Sequence, residues 1–473
     1  MKSPVTYNRK LLVTVVIISA FVSMLNQTIL AVAQPGIMAS FKVNLAAIQW
    51  LSTGYSLIGG ILIPISAWLA DRFNTRKLVS YSLLIFLIGT LVAFGANNFP
   101  ILLTGRLLQA VGAGVLSGLT MTILFSVFPK SDQGTPTMLL GLVFGIAPAV
   151  GPTLGGYIVD NFGWHYVFGL VVPIIAVALV LSVFFMADVV PHKNTKLDFL
   201  SVLLSTIGFG GVLYGASMVS DHGWLSSQTL APGIGGIIFV MLFIWRQLTI
   251  PNPMLELRVF TKGNFTTAAI ISAITQISMV AVEFILPVYL QNARNLTATQ
   301  SGVTVLPGAI VMFLLAPLSG KFVEKNLGKP IIIFGISVMT LSTLLLSFIS
   351  LTTPIWEVVA LYALRNVGLT FAMMPAGTLG MQALTPDLIS HGSAGNNVVR
   401  QVGAALGTAV LISVMQAKAN AVAPSASLLK INPAKYGHDM HLALVAGAHT
   451  SLLVATAIGV VGIGFALNLK KQK

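Results

Sequence analysis

The chain has 473 residues and no cysteine, with 56% hydrophobic residues and 8% charged ones, against about 25% charged in a soluble domain. That composition belongs to a polytopic membrane protein, leaves no room for a soluble domain, and excludes disulfides and thiolate metal sites. The net charge of +14 comes from 26 Lys and Arg against 12 acids. These bases fall in short loops between apolar runs, not on one face of a folded domain, so nucleic-acid binding does not follow.

In chain order the apolar spans are approximately 11–33, 47–70, 78–97, 99–127, 137–158, 166–187, 199–219, 231–249, 265–290, 301–323, 331–350, 356–378, 392–416 and 444–469. Fourteen runs of this length each suit a bilayer crossing. The first, flanked by Lys2, Arg9 and Lys10 and by Ala31-Val32-Ala33, imitates a signal peptide. Its apolar stretch is too long for a signal h-region, so it is a span. The thirteenth is the least apolar, because Asn396, Asn397, Arg400 and Gln401 make its first turns polar. The expected fold is an all-α integral membrane protein. Residues 1–190 form one six-helix bundle, 191–262 two inserted helices, and 263–473 a second six-helix bundle.

The positive-inside rule sets the orientation. With the N-terminus cytoplasmic, the inner segments hold 18 of the 26 Lys and Arg, among them Arg72, Arg76, Lys130, Lys193, Lys196, Lys321, Lys471 and Lys473. The outer loops hold only Lys42, Arg294, Lys418, Lys430 and Lys435, and Arg106, Arg365 and Arg400 lie inside spans. Both termini are therefore expected in the cytoplasm, with the 417–443 loop outside. All six Trp residues stand at or just beyond span ends, as an interfacial aromatic belt requires.

AWLADRFNTRK (67–77), after the second span, is weakly repeated by GKFVEKNLGKP (320–330), after the tenth. Repeated halves around a central site are a common transporter plan. ADRFNTRK resembles the loop signature of the major facilitator superfamily, with Asp71 and Arg72 in place but Ala67 and Asn74 where glycines are usual. RLLQAVGAG (106–114) is similar to that family's fourth-helix motif, and GPTLGG (151–156) to its fifth-helix antiporter motif. With LPVYLQ, SGVTVLPGAI and HGSAGNNVVRQVGAALGTA, the chain resembles the fourteen-helix EmrB/QacA drug:proton antiporters along nearly its whole length. The resemblance implies that Asp71 and Arg72 form a cytoplasmic latch. It also implies that Gly151, Pro152, Gly155 and Gly156 form a bending outer gate. Small residues at four-residue spacing are equally at home in ordinary close helix packing.

MVAVEFILP (279–287) places Glu283 well inside the ninth span. A carboxylate at that depth costs about 2.5–3.5 kcal/mol on the gentler scales, so it implies a function or a partner. By helical rise, Glu283 and Arg106 lie about 10 Å inside the outer ends of their spans and Arg365 about 13 Å. Asn26, Gln27, Arg106, Gln109, Glu283 and Arg365 are thus expected to form a polar ring in the outer half, with Arg400 in an inner layer. Gln276, two helical turns before Glu283, shares its face.

Many relatives in the resembled family carry an acid in the first helix, where LNQTILAVAQP (25–35) has only the amides Asn26 and Gln27. Proton carriage then falls on Glu283, since Asp132, Asp160, Asp188, Asp198 and Glu357 sit near span ends. A fixed ion pair of Glu283 with Arg365 or Arg106 is the alternative. His391 and His449, near span ends, read as surface or helix-end residues. No HExxH, Walker or GxSxG motif supports an enzyme, and no repeated ring of charges supports a channel.

The expectation is a multi-pass protein of the bacterial cytoplasmic membrane, monomeric, without cofactor or metal. Its partners are membrane lipids, protons and a small-molecule drug. It exports lipophilic, cationic or neutral compounds by proton-coupled antiport and is not an enzyme. Glu283 carries the proton and Arg106 tunes it, while Asn26, Gln27, Gln109, Gln276 and Arg365 contact substrate. An exporter for one metabolite or anionic compound is the alternative.

Overall fold

The structure, a computed structural model, describes residues 8–43, 45–129, 132, 134–190 and 198–470. The side chains of residues 31, 32, 35, 45, 46, 49, 148, 149, 152, 220, 221 and 298 fall outside this description. So do Lys2, Lys130, Lys193, Lys196, Lys471 and Lys473 of the inner charge count, and the junction at 190–191.

The described residues are helical throughout, with no strand. The first half contains α1 (Arg9–Phe41), α2 (Leu45–Arg72), α3 (Thr75–Phe94), α4 (Phe99–Val127), α5 (Gly134–Phe162) and α6 (His165–Phe185). Then come α7 (Phe199–His222) and α8 (Ser227–Thr249). The second half contains α9 (Phe265–Val288), α10 (Ala298–Glu324), α11 (Gly328–Ser347), α12 (Ile355–Gln382), α13 (Ile389–Ala421), the short α14 (Ala426–Ile431) and α15 (Pro433–Leu467). Among the described residues, thirteen helices are long and apolar enough to cross a membrane. The span expected at 137–158 falls in α5, one continuous helix of 29 residues whose described apolar run stops at Ala147.

Side-chain caps end many of these helices against the turns. Asn74 accepts from the Lys77 amide at the start of α3, Asn98 from Ile101 at the start of α4, and Thr297 and Gln300 form a reciprocal capping box on α10. One expectation needs correction. The 417–443 segment is largely helical: α13 continues to Ala421 and α15 begins at Pro433. Asn432 caps α15 through the Lys435 amide, and Pro433 at the first position carries a preset helical φ.

Within the first half, α1 packs on α5 and α6, and α4 on α2 and α3; in the second, α9 packs on α12, α13 and α15. The α3–α4 contact is made by glycines: a Cβ on Gly105 would lie 2.7 Å from the Ala93 backbone nitrogen. Gly335 and Gly368 bring α11 and α12 equally close, where a Cβ on Gly335 would lie 2.7 Å from the Gly368 carbonyl. The two halves thus repeat in packing as they do in sequence. Helices α7 and α8 form a hairpin, with α7 lying against both α2 and α13.

The halves join where α2, α4, α10 and α12 end and α5 and α13 begin. There Ser390 donates to Asp71 at 2.8 Å, Ser393 to the Gly118 carbonyl at 3.0 Å and Asn397 to the Ser117 carbonyl at 3.2 Å. Thr137 and Thr378 also hydrogen-bond across the seam. Gly141 and Gly145 let α5 lie directly on Ala316 and Met312 of α10.

Candidate functional site: a cavity between the halves and the buried charges around it

Above this junction lies a cavity of about 210 Å³, lined by α1, α2, α4, α5, α9, α12 and α13. Its apolar wall includes Met24, Met121, Phe144, Met373 and Met374, and its polar wall Gln27, Gln276, Asn396, Asn397, Arg400 and Gln401. Unbranched methionines adapt to varied apolar shapes, while convergent amides and one charge orient a ligand. Arg400 donates to Gln276 Oε1 at 2.6 Å, and its guanidinium carbon lies 5.0 Å from the centre of the Phe144 ring. Asn396, Asn397, Arg400 and Gln401 are the polar residues that weakened the thirteenth span. Their i, i+1, i+4, i+5 spacing puts them on one helical face, and that face is the cavity wall. This signal was present in the sequence, where it reads only as a poor span.

The polar ring expected in the outer half is instead divided among three places. Gln27 and Gln276 line the cavity, but Asn26, Gln109 and Arg365 are fully buried and do not. Asn26 and Gln109 turn inward because the buried guanidinium of Arg106 needs acceptors. Arg106 donates to Gln109 Oε1 at 2.9 Å and to the Asn26 and Leu51 carbonyls at 3.4 Å. Asn26 donates to Gln109 at 3.1 Å, Gln109 donates to Thr90 at 2.9 Å, and Arg106 sits over the Tyr55 ring at 4.5 Å. Tyr55 then separates this knot from the cavity.

Glu283 is half-buried on α9 and outside the cavity lining. Among the described residues it has no ion pair within 4.0 Å; Arg365 and Tyr362 of α12 interact with it electrostatically. Arg365 is held by the Ser278 carbonyl and hydroxyl, one turn and a half before Glu283. The close pair of Glu283 with Arg106 is therefore absent, and that with Arg365 is a longer-range attraction. Gln276, Ser278 and Glu283 lie on one helix, so α9 connects the cavity to the half-buried carboxylate.

Asp71 ends α2 as a buried residue and contacts the second half through Ser390 and through His391, whose Nε2 lies 3.2 Å from Asp71 Oδ2. His391 is 4% exposed in the first turn of α13, so of the two expected settings it has the helix end and not the surface. Arg72 beside it is exposed. Gly151 and Gly155 face α1: a Cβ on Gly155 would lie 2.7 Å from Ile29 Cγ1, and one on Gly151 would overlap the Thr28 side chain. Gly156 is half-buried, and the side chain of Pro152 lies outside the described residues. The described residues gather no group of three or more metal-binding side chains.

Two repeated helical halves closed at one end around an amphipathic cavity define the plan of a secondary transporter. Residues 16–408 match the model of the Major Facilitator Superfamily, and the chain belongs to that family. It is 40% identical over 469 residues to the uncharacterized MFS-type transporter YcnB of Bacillus subtilis, covering 99% of this chain and 96% of that one. It is 33% identical over 457 residues to the lincomycin resistance protein LmrB of Listeria innocua, covering 97% and 96%. The crystal structure of the human organic anion transporter MFSD10 shares the fold, with a TM-score of 0.68 at 12% identity over 98% of this chain and 100% of that one.

Proposed function

We propose that the protein is a proton-coupled antiporter of the fourteen-helix drug-exporter branch. It would move lipophilic small molecules out across the bacterial cytoplasmic membrane by alternating access. The observation that carries this reading is the methionine- and amide-lined cavity enclosed between the halves, and the similarity to a lincomycin resistance protein supports it. The Asp71 junction holds one conformation closed on the cytoplasmic side, and the α1–α5 contact at Gly151 and Gly155 reforms as the outer end closes.

Glu283 takes up the proton and acts on the cavity through α9, since it does not touch the substrate. Protonation releases the attraction of Arg365, which shifts the segment between Ser278 and Gln276. Arg106 keeps the Asn26 and Gln109 amides in place behind Tyr55. Among the described residues, the cavity lining contains no acid to receive a cation. Of the substrate charges expected from the sequence, this favours neutral compounds and the anionic alternative.

Transport into everted vesicles tests the reading. A neutral lipophilic dye should accumulate only while a proton gradient is imposed and should stop when the gradient is collapsed. Accumulation indifferent to the gradient, or movement in the opposite direction, would overturn it.

A further inference from the structure

Arg400 differs from the other arginines buried in the helices. Arg106 is enclosed by two carbonyls and Gln109, and Arg365, whose buried Nε also lacks an acceptor, lies outside the cavity lining, held by Ser278 and attracted at longer range by Glu283. Arg400 is the one charged side chain among the described residues lining the cavity. Its only hydrogen bond is to the neutral Gln276 Oε1 at 2.6 Å, its buried Nε has no acceptor, and no carboxylate pairs with it among the described residues. A half-buried guanidinium that faces a cavity without a counter-charge is poorly compensated, and a bound anion with two oxygens matches its planar fork.

The surroundings complete such a subsite. The Phe144 ring lies 5.0 Å from the guanidinium carbon on one side, within the range of a cation–π contact. Gln401, one residue further along α13, adds an amide to the lining, and Met373 and Met374 supply polarizable apolar surface in the same cavity. Gln276 holds the fork in position while the cavity is empty, and an oxyanion offers a stronger, charge-assisted acceptor.

We propose that Arg400, positioned by Gln276 and Phe144, is the anchor for the acidic group of amphipathic organic anions, and that the cavity selects such compounds over cations. This names the substrate class of the cavity and rests on its reading as the export site. A carboxylate or sulfonate binds the guanidinium, the aromatic or aliphatic body lies on the methionines, and a cationic group is repelled by an uncompensated positive charge.

The test is binding to the purified full-length protein by three probes with one fluorescent body: pyrenebutyrate, its methyl ester and pyrenebutyl-trimethylammonium. The wild type should bind the anion at least about tenfold more tightly than the cation, as a charge-assisted bidentate contact implies. Arg400→Gln should weaken the anion by about tenfold while leaving the ester nearly unchanged, and Arg400→Lys should recover part of the loss. A wild type that binds the cation as tightly as the anion overturns the proposal, as does Arg400→Gln with unchanged anion affinity. If Arg400→Gln loses the ester as well, the variant has lost its fold and the wild-type ranking alone decides. The export reading fails separately, by absence of gradient-driven movement of any probe into everted vesicles while the binding order persists.

Discussion

His391 at the start of α13 and Asp71 at the end of α2 meet at 3.2 Å, with side chains 5% and 6% exposed. The contact spans the two halves of the chain, and Ser390 reinforces it by donating to the same carboxylate at 2.8 Å. It carries charge on both sides only when His391 is protonated. Breaking a buried polar pair by removing one member costs about 2–5 kcal/mol, because the other is left desolvated. We expect Asp71→Asn to lower the thermal unfolding temperature in detergent by several degrees and to slow transport. Unchanged melting and transport would show that the junction is held by packing alone.

A second expectation uses the cysteine-free background. Asn397 donates to the Ser117 carbonyl at 3.2 Å, on the floor of the cavity between α13 and α4. A Ser117→Cys/Asn397→Cys variant should cross-link readily with a short bifunctional reagent. If the halves separate at this end during turnover, the cross-link stops transport and cleaving the linker restores it. Full activity of the linked protein would place the moving parts elsewhere.

The close approach of α1 and α5 gives a graded series. A Cβ at Gly155 would lie 2.7 Å from Ile29 Cγ1, the end of a side chain that can rotate away, and 3.3 Å from the Ile29 carbonyl, which cannot. Gly155→Ala should therefore retain most transport, whereas Gly155→Leu should reach the membrane and fail to turn over. Gly151→Leu should be the more severe, since Thr28 is tied by a hydrogen bond to the Ala147 carbonyl. Normal transport by Gly155→Leu would reduce the motif to ordinary packing.

Glu283→Gln keeps the side-chain shape and removes its titration. Because Glu283 lies outside the cavity lining, substrate binding should survive for anionic and neutral compounds alike, while gradient-driven export is lost. Glu283→Asp should retain partial activity with a shifted pH profile, since the acid remains about one methylene short. Wild-type export by Glu283→Gln under a gradient would assign the carboxylate to structural attraction with Arg365.

Acid sensitivity should be measurable at the α7–α8 hairpin. Arg246 donates to both oxygens of Asp198 at 2.7 and 2.9 Å and holds its carboxyl below the usual carboxylate range, with Ser201 adding a further hydrogen bond. A depressed folded-state pKa contributes stability that is fully present above the unfolded value of about 4 and is lost as pH falls through the folded value. The pair faces solvent in part, so its contribution is about 1 kcal/mol or less. Asp198→Asn should lower the melting temperature slightly at neutral pH, and the difference from wild type should shrink as the pH drops below 4. A gap that is constant down to pH 3 would mean the pair contributes nothing through ionisation.

Much of the molecule could be read along the chain because bilayers impose simple rules on sequence. A span must be long, apolar and internally hydrogen-bonded, and so the all-helical fold and the order of its long helices were legible. Glu283 stood out for the same reason, as the one acid deep within a span. At 417–443 the polar residues suggest a loop, and the segment is nonetheless largely helical. The helix continues past the apolar region, since capping by Asn432 satisfies its backbone as well in water as near lipid.

What the sequence determined by itself was which residues belong to membrane-spanning helices and the level each is expected to occupy, set by helical rise and hydrophobic length. Which residues meet at that level was decided by tertiary structure, because helix rotation and neighbour choice depend on packing between segments far apart in the chain. Asn26, Gln109 and Arg365 have the depth of a binding ring, yet each is drawn into its own bundle by a guanidinium that must find acceptors. Arg400 was legible as an inner-layer charge that weakens its span; the approach of α9 and α5 turned it into the charged wall of the cavity. Asp71 and His391, 320 positions apart, became partners because the two halves close against each other at one end.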